Sequence, residues 1–428
     1  MKSISIYIHI PFCVKKCQYC DFLSAPADSR AQEVYLRALK QEIREQAARY
    51  REYEVQTVFI GGGTPTAVPC EKLCEVLKTV FTCYRVNPQA EISMEANPGT
   101  VTKEALLSYR KAGINRLSIG LQSTDDGELK LLGRIHTYRD FLQTYRWAQE
   151  AGFTNINLDI MSALPGQSVE NYKKTLETVL SLRPQHISAY SLIVEEGTPF
   201  YEKYGQESEK LQATGEKQPD LPSEEEEREM YALTEKLLAA AGYHRYEISN
   251  YALPGMECRH NRVYWKRGNY VGFGLGAASM VENVRFENTR EMQEYLTEYA
   301  GVPDAEPVFA EVAQGDEQAL SNEQEFSLRE DTHSENAQEL SIRENVHPLS
   351  PQEQMEETMF LGLRLTEGVS KAEFHRQFGV SMKQIYGEVI RKNTAKGLLI
   401  DEAGYVCLTR EGMDLSNYVM AQFLLDEV

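Results

Sequence analysis

The sequence predicts an α/β fold built on parallel strands, followed by a smaller domain at the carboxyl end. Apolar runs alternate with helical patterns from residue 4 to about residue 194, and glycine and polar residues follow the ends of several runs. Helical apolar periodicity returns after residue 358. Six strand–helix units are too few for a closed eight-fold barrel, so the first part is either an open partial barrel or a doubly wound sheet.

Six strands and five helices are predicted in the first 200 residues. The strands are expected at residues 4–10, 55–60, 91–95, 116–120, 155–160 and 186–192. The helices are expected at residues 29–50, 71–81, 103–112, 138–151 and 169–181. Parallel strands joined by right-handed crossovers place ligands at their carboxyl ends, where residues 61–64, 97–99 and 122–123 are rich in glycine and polar side chains.

The rest of the chain divides by composition into three further parts. Residues 201–303 are expected to form an α+β extension, with a helix at 230–241, and with strand and loop at 246–251 and in the glycine-rich stretch 270–279. Residues 304–357 form an acidic insertion of low aromatic content. Residues 358–428 predict two short helices and two strands, a winged-helix-like domain. Its second helix carries only scattered basic residues, so we expect a structural cap rather than a nucleic-acid interface.

The net charge is concentrated in two segments. The chain has 428 residues and a formal charge of −19, which argues against nonspecific nucleic-acid binding. Residues 304–357 contribute −13 and residues 207–229 contribute −6, so the remaining chain is formally neutral. We expect both segments to be solvated loops or flexible insertions. The argument against nucleic acid therefore depends on the lack of a visible basic patch.

The sequence predicts a cytoplasmic protein. It contains no uninterrupted apolar stretch of about 20 residues, and its first residues lack the pattern of a signal peptide. Cysteines in a cytosolic chain serve as ligands, catalytic groups or core thiols more often than as disulfides.

Three of the eight cysteines form a motif. Cys13, Cys17 and Cys20 have the spacing C-x3-C-x2-C directly after the first predicted strand. Structural zinc normally needs four protein ligands in two pairs, and Phe22 stands where a further cysteine would follow. Three thiolates suit a [4Fe–4S] cluster with one iron left open. The spacing favours an iron–sulfur cluster over the alternatives of zinc and core thiols.

This motif resembles the cluster loop of the radical S-adenosylmethionine superfamily, in which the cofactor binds the open iron. Residues 7–13, 61–66 and 164–167 are similar to the oxygen-independent coproporphyrinogen III oxidase group, which implies a partial (β/α)6 barrel. Phe22 replaces a cysteine of the enzyme branch, and residues 260–265 match an H-N-x-x-Y-W heme-binding motif. Both features resemble the heme-chaperone branch, HemW. The resemblance covers most of residues 4–300 and the carboxyl-terminal cap.

The resemblance also implies site residues. Cys13, Cys17 and Cys20 would bind the cluster. The residues implied to contact S-adenosylmethionine are Tyr7, Tyr19, Gly62, Gly63, Thr64, Glu95, Gln122, Arg134, Asp159 and Ile193. His260 would be the axial ligand of heme, and a structural role is the alternative for this residue. No catalytic residue is implied.

The function implied by the resemblance is that of a heme chaperone. Such a protein binds a [4Fe–4S] cluster, S-adenosylmethionine and heme, and delivers heme to an acceptor, for example a respiratory protein. An electron donor for the cluster, a homodimer and peripheral membrane association through the acceptor are compatible with this function, and nucleic acid is not expected. The rival is a coproporphyrinogen III dehydrogenase, an enzyme that oxidatively decarboxylates propionate side chains. A zinc-binding structural protein is the third class.

Overall fold

The computed structural model describes residues 1–205, 219–301, 342–402 and 404–425. The strands are β1 (Lys2–Ile10), β2 (Tyr53–Gly62), β3 (Val86–Ala96), β4 (Arg116–Gln122), β5 (Ile156–Ser162), β6 (His186–Ser191), β7 (His244–Glu247), β8 (Asn250–Ala252), β9 (Tyr270–Phe273), β10 (Ala278–Val281), β11 (Val284–Asn288), β12 (Arg343–Pro348), β13 (Val369–Ser370), β14 (Leu399–Asp401) and β15 (Tyr405–Leu408). The helices are α1 (Ser29–Gln46), α2 (Cys70–Cys83), α3 (Lys103–Ala112), α4 (Asp126–Leu131), α5 (Tyr138–Glu150), α6 (Val169–Leu182), α7 (Pro199–Tyr204), α8 (Glu224–Ala240), α9 (Arg259–Trp265), α10 (Met292–Ala300), α11 (Pro351–Gly362), α12 (Lys371–Phe378), α13 (Met382–Ala395), α14 (Arg410–Asp414) and α15 (Ser416–Ala421).

One twelve-stranded sheet organises the described residues before the carboxyl-terminal domain. Its centre has the order β1-β2-β3-β4-β5-β6, and all of these strands are parallel. A doubly wound sheet reverses its strand order, whereas this order runs in one direction. The open partial barrel is therefore confirmed. Strands from beyond residue 201 extend both edges, with β9 parallel to β1 and β8 antiparallel to β6.

The two faces of the central strands differ in polarity. On β1, Ile4, Ile6 and Ile8 belong to the apolar core that α1 covers, whereas Ser5 and Tyr7 face the barrel lumen. The lumen is lined by polar side chains that hydrogen-bond across neighbouring strands. These include Thr57 with Ser5, Ser118 with Asp159, and Asn157 with His186. The barrel therefore encloses a polar interior instead of a packed apolar one.

Helix α1 shows how the sequence pattern produces the outer layer. The carboxylate of Asp28 accepts a hydrogen bond of 2.7 Å from the backbone N–H of Ala31 and caps the helix. The helix then buries Tyr35, Leu39 and Ile43 against the sheet. The predicted helix at residues 29–50 is confirmed, although its last turn, Ala47–Tyr50, is a 3₁₀ helix.

The carboxyl-terminal domain has its own core. Helices α12 and α13 pack on the three-stranded sheet β13-β15-β14, around Phe374, Tyr386 and Val406. This arrangement confirms the winged-helix-like prediction. The domain contacts the barrel beside α9, where the Arg364 guanidinium lies 4.3 Å from the centre of the Trp265 ring.

The acidic segments are not simply loops. Residues 206–218 and 302–341 lie outside the described residues. Within the described part, Glu224–Glu227 form the first turn of α8, where negative charge suits the positive end of the helix dipole. Glu353 and Glu357 belong to α11, and Glu357 is buried. The expectation of solvated loops is therefore wrong for these residues, because acidic side chains also serve as helix caps and buried ion-pair partners.

Among the described helices, none combines the length and the apolar character that a membrane-spanning segment needs.

Candidate functional site

The cysteine loop connects β1 to α1 and is fixed by backbone hydrogen bonds. The Cys13 N–H donates to the Ala25 carbonyl oxygen at 3.2 Å, and the Cys20 N–H donates to the Cys17 carbonyl oxygen at 3.3 Å. In the described residues, no three Cys, His, Asp or Glu side chains converge as ligands of a single metal ion. A [4Fe–4S] cluster binds its thiolates on separate irons, so it does not require the three thiols to converge on one point.

The surroundings of Cys13 and Cys20 favour the protonated thiol in the absence of a metal. Burial raises the pKa of Cys13 and of Cys20, and the nearby thiol of Cys17 raises both further. Bound iron favours the thiolate and reverses this effect. Cluster assembly at this loop is therefore coupled to the release of protons.

A cavity of about 270 Å³ lies at the carboxyl ends of the strands, with the cysteine loop as one wall. Besides the three cysteines, it is lined by eight of the ten residues that the sequence associates with S-adenosylmethionine. These are Tyr19, Gly62, Gly63, Thr64, Glu95, Gln122, Arg134 and Asp159. The structure thus brings residues from β2, β3, β4 and β5 together beside one loop.

Two glycines form a wall that leaves no room for side chains. Gly62 has φ +112°, and a Cβ atom there would lie 2.6 Å from the His9 ring. A Cβ atom on Gly63 would lie 2.5 Å from the carbonyl oxygen of Phe12. The Gly63 N–H also donates to the Ile10 carbonyl oxygen at 2.9 Å. The end of β2 and the start of the cysteine loop therefore need glycine to approach each other this closely.

Burial favours the protonated form of both carboxyl groups of the cavity. Burial and the nearby Asp159 raise the pKa of Glu95 to about 8. Burial also raises the pKa of Asp159, although Asn157 and Ser118 donate hydrogen bonds to it. The Gly62 N–H donates to Glu95 at 3.2 Å. These groups can exchange hydrogen bonds with hydroxyl groups of a bound cofactor without a full negative charge on each.

Arg134 connects the strand ends to the cysteine loop. Its Nη2 donates to Asn97 Oδ1 and to the Gly120 carbonyl oxygen, both at 2.7 Å. Its Nη1 lies 3.7 Å from Cys17 Sγ. Its Nε is buried and has no hydrogen-bond partner. An unpaired guanidinium donor in a cavity is a suitable contact for a carboxylate.

Gln122 is held in an unusual conformation at the end of β4. Its φ is +68°, and left-handed backbone at a residue other than glycine costs about 1–3 kcal/mol. The Tyr190 hydroxyl donates to Gln122 Oε1 at 3.0 Å and fixes the amide at the cavity wall. Strain of this kind is typical of functional sites.

The cavity includes residues that sequence reasoning missed, among them Asn97, Ser118 and Tyr190. Asn97 could have been predicted to line the cavity, because the polar stretch 97–99 follows the third predicted strand. Ser118 and Tyr190 lie inside strands, where nothing in the sequence separates a lumen position from an ordinary strand position.

The residues fit a [4Fe–4S] cluster and S-adenosylmethionine. Three thiols border the cavity, the Arg134 Nε is an unpaired donor at its wall, and Gly62 and Gly63 allow the backbone to approach a ligand.

Two predicted cofactor residues lie elsewhere. Tyr7 hydrogen-bonds through its hydroxyl to His9 Nδ1 at 3.0 Å, and its side chain lines a neighbouring cleft together with Tyr264. Ile193 follows β6, is 67% exposed and is not on the cavity wall.

His260 lies in the amino-terminal half of the barrel lumen and is only 1% exposed. Its Nδ1 lies 2.7 Å from Thr57 Oγ1, and its Nε2 lies 2.8 Å from the Tyr264 hydroxyl. Its ring stacks on Phe59 at 5.2 Å. Burial, helped by the positive charge of Arg116, lowers the pKa of His260 to about 3. Both ring nitrogens of this neutral imidazole therefore have partners already.

Comparisons with known proteins place this site in a family. The family model described as Radical SAM superfamily matches residues 7–179, and the HemN C-terminal domain matches residues 349–415. The heme chaperone HemW of Bacillus subtilis is 36% identical over 98% of this chain and 99% of its own length. The heme chaperone HemW of Lactococcus lactis is 32% identical over 100% of this chain and 99% of its own length.

A solved structure supports the fold. The coproporphyrinogen III oxidase HemN of Escherichia coli has a TM-score of 0.77, covers 99% of this chain and 90% of its own, and is 22% identical. The end-to-end relatives are more similar in sequence than this oxidase and carry another name. The chain therefore belongs to the HemW family within the radical S-adenosylmethionine superfamily.

Proposed function

We propose that this chain is a heme chaperone, which binds a [4Fe–4S] cluster, S-adenosylmethionine and heme and delivers heme to an acceptor protein. The observation that carries the proposal is the composition of one cavity wall. Cys13, Cys17 and Cys20 border it, and Phe22 occupies the position where a further cysteine would mark the oxidase branch. The relatives that match end to end are named heme chaperones.

The cavity residues have separate tasks toward the cofactor. When bound, S-adenosylmethionine supplies the amino and carboxylate groups that complete the cluster. Arg134 is in place to hold the carboxylate through its unpaired Nε, because Nη2 is fixed by Asn97 and Gly120. Glu95 and Asp159 are in place to bind hydroxyl groups. Tyr19, next to Cys20, offers an aromatic face to a base.

The first test is assembly of the cluster. After anaerobic reconstitution we expect about four irons per chain, and loss of the cluster when any one of Cys13, Cys17 or Cys20 is replaced by Ala. Cys74→Ala is the matched control, because this half-buried thiol lies on α2 and packs beside Cys70 Sγ at 4.0 Å. Equal iron content in all the variants would contradict the assignment.

The second test separates chaperone from enzyme. The reconstituted full chain is loaded with hemin and mixed with apomyoglobin, and we expect stoichiometric heme transfer followed in the Soret band. Coproporphyrinogen III with S-adenosylmethionine and a reductant should stay unchanged. Decarboxylation of that substrate, measured by mass spectrometry, would replace the chaperone proposal by the dehydrogenase.

The proposal extends to partners. We propose that the acceptor is a respiratory or other heme protein, that a separate donor reduces the cluster, and that the chain acts in the cytoplasm. Homodimer formation and contact with a membrane through the acceptor belong to the same proposal. Crosslinking of the heme-loaded chain in cells, followed by mass spectrometry, should recover a heme protein. Recovery of the same partners with heme-free chain would contradict it.

A further inference from the structure

A second cleft lies beside the cofactor cavity, on the other side of Phe22. It has a volume of about 400 Å³, within the range of small-ligand sites, ~300–1,000 Å³. We name it the tyrosine cleft, and the lining residues that matter here are Tyr7, His9, Phe22, Leu23, Tyr264 and Arg290. Phe22 is 63% exposed and lines both cavities.

Hydrogen bonds determine where the proton of Tyr264 lies. The Thr57 hydroxyl donates to Ser5 Oγ at 2.8 Å, so its only hydrogen is already used. In this arrangement, the contact of 2.7 Å between His260 and Thr57 is made by Nδ1–H donating to Thr57 Oγ1. In a neutral imidazole, Nε2 is then the acceptor, and the Tyr264 hydroxyl donates to it at 2.8 Å. The Tyr264 oxygen thus keeps its lone pairs, and the Tyr264 side chain lines the cleft.

We propose that ferric heme binds in the tyrosine cleft with the Tyr264 phenolate oxygen on the iron, and that His260 is a positioning residue behind this ligand. The inference rests on the proposed heme function and names the site of the cargo. Tyrosine is an established type of axial ligand for ferric heme. Iron binding by Tyr264 leaves the buried contact between His260 and Thr57 in place. Iron binding by His260 Nε2 would instead have to displace the Tyr264 hydroxyl.

Binding of ferric heme to Tyr264 releases one proton. The Tyr264 phenol loses its proton to solvent as the iron–oxygen bond forms, and the iron stays ferric. The imidazole of His260 stays neutral and takes the tautomer with hydrogen on Nε2, which donates to the phenolate. Thr57 and Ser5 can reverse the direction of their hydrogen bonds, because hydroxyl groups both donate and accept.

A second phenol–imidazole pair in the cleft lacks this freedom. His9 Nε2 lies 2.9 Å from the Leu23 carbonyl oxygen, which can only accept, so Nε2 carries the hydrogen. His9 Nδ1 therefore accepts a hydrogen bond from the Tyr7 hydroxyl at 3.0 Å. A neutral His9 could donate from Nδ1 only if it gave up its hydrogen bond to the Leu23 carbonyl oxygen. This difference selects Tyr264 over Tyr7 as the ligand.

Charged side chains of both signs lie at the rim, since Asp21 lines the cleft and Glu291 lines an adjoining groove. Arg290 forms no ion pair within the described ranges of the chain and lines both the cleft and this groove of about 440 Å³. Lys16 and Met292 lie in that groove. A porphyrin that extends from the cleft past Phe22 would bring its propionates to two cationic side chains, Arg290 and Lys16.

The test is resonance Raman spectroscopy of the hemin-loaded full chain. Wild-type protein should show tyrosinate vibrations that shift when the protein is produced with ring-deuterated tyrosine, a result that needs no variant. Tyr264→Phe should lose them, whereas Tyr7→Phe should keep them. Tyr172→Phe is the matched control, because it also removes a buried tyrosine hydroxyl. Tyr172 lies on α6, and its hydroxyl is hydrogen-bonded to Thr234 of α8 at 2.8 Å.

His260→Gln tests the positioning role. An amide can still donate to the phenolate, so we expect the tyrosinate vibrations to remain at shifted frequency and hemin transfer to apomyoglobin to be about 10-fold faster. His260→Leu should shift them further and speed transfer more. Iron content and circular dichroism report the folding of each variant.

The outcomes are separable. Hemin binding with a low-spin spectrum that disappears in His260→Gln and persists in Tyr264→Phe would overturn the ligand assignment and leave the chaperone proposal standing. Retention of label-sensitive vibrations in Tyr264→Phe would likewise overturn it. Failure of the wild-type chain to bind hemin would overturn the proposed function itself.

Discussion

Glu42 is a carboxyl group buried between α1, the turn after β9 and α10. It accepts hydrogen bonds from Asn288 Nδ2 and the Tyr295 hydroxyl, both at 2.6 Å, and from the Gly274 N–H at 2.8 Å. Burial raises its pKa to about 7, against an opposite but smaller effect of these three donors. Glu42 therefore joins these three parts of the fold. The free-energy cost of ionising it in the folded chain makes stability depend on pH.

We expect the stability of the protein to depend on pH through Glu42. The pKa of this carboxyl is about 7 in the folded chain and about 4.5 in an unfolded one, so the folded state binds more protons between these values. The contribution of protonated Glu42 to the free energy of unfolding is therefore fully present below about pH 4.5, and it is lost as the pH rises through 7. Urea unfolding should show that the advantage of wild type over Glu42→Gln shrinks from pH 5 to pH 8, by roughly 1.4 kcal/mol per unit of pKa shift. A constant gap would contradict this.

Arg134→Lys should weaken binding of S-adenosylmethionine and spare the cluster. A lysine ammonium cannot span Asn97 Oδ1 and the Gly120 carbonyl oxygen while also presenting a donor at the position of Nε. We expect at least a 10-fold rise in the dissociation constant, measured by equilibrium dialysis, with about four irons retained. Arg110→Lys on exposed α3 is the control. Equal affinity in both variants would show that Arg134 is not a cofactor contact.

At the scale of residues, the sequence predicted the site where a motif or a strand end marked it. The cysteine spacing and Gly62–Gly63 are local signals. The partner of His260 was not predictable, because the direction of the hydrogen bond to Tyr264 depends on Thr57 and Ser5, which are far away in sequence. The assignment of His260 to heme iron stays a prediction that competes with Tyr264.

At the scale of elements, helix α9 depends on a distant cap. Its N-cap residue, Cys258, makes no side-chain capping bond. Instead the Glu91 carboxylate of β3 accepts hydrogen bonds from the N–H groups of Arg259 at 3.0 Å and His260 at 3.2 Å. A carboxylate at the positive end of the helix also suits its dipole.

Glu91→Ala should therefore destabilise α9 and the tyrosine cleft together. The N–H groups of Arg259 and His260 would lose their acceptor, and for the buried one of His260 this costs about 1–3 kcal/mol. We expect a lower midpoint in urea unfolding and weaker hemin binding, whereas Glu104→Ala on the exposed first turn of α3 should lower the midpoint much less and leave hemin binding unchanged. Unchanged stability of Glu91→Ala would mean that water replaces the cap.

Strong periodicity explains which elements were predictable. The six central strands and five long helices were predicted within a few residues, because each carries several turns or alternations of apolar side chains. Helices α4 and α9 were not predicted. Helix α9 has seven residues and its cap comes from another strand, so no local pattern marks it. Strand β3 begins at Val86, earlier than predicted, since its first part includes polar residues and Pro88.

At the scale of the whole molecule, a buried ion-pair group joins the carboxyl-terminal domain to the barrel. Glu357 of α11 accepts from Arg267 Nε at 2.9 Å and pairs with Arg285 Nη1 at 2.9 Å. The side chain of Arg267 is 3% exposed, so its charge depends on this partner. The two parts of the chain are therefore coupled through one carboxylate.

Glu357→Ala should lower the stability of the entire chain. Removal of one partner leaves a buried guanidinium without compensation, which costs about 3–5 kcal/mol. The control is Glu373→Ala, which removes a solvent-exposed pair with Arg376 at 3.8 Å and should cost ~0–1 kcal/mol. The measurement is urea unfolding of both variants. Similar losses in the two variants would contradict the coupling.

The position of α9 in the barrel lumen has a consequence for how ligands enter. His260 and Cys258 are buried at the amino-terminal half of the lumen, so the barrel interior is closed at that end. S-adenosylmethionine and heme, bound as proposed above, would both enter from the other end, on the two sides of Phe22. A change in the position of this one exposed side chain would therefore alter both entrances.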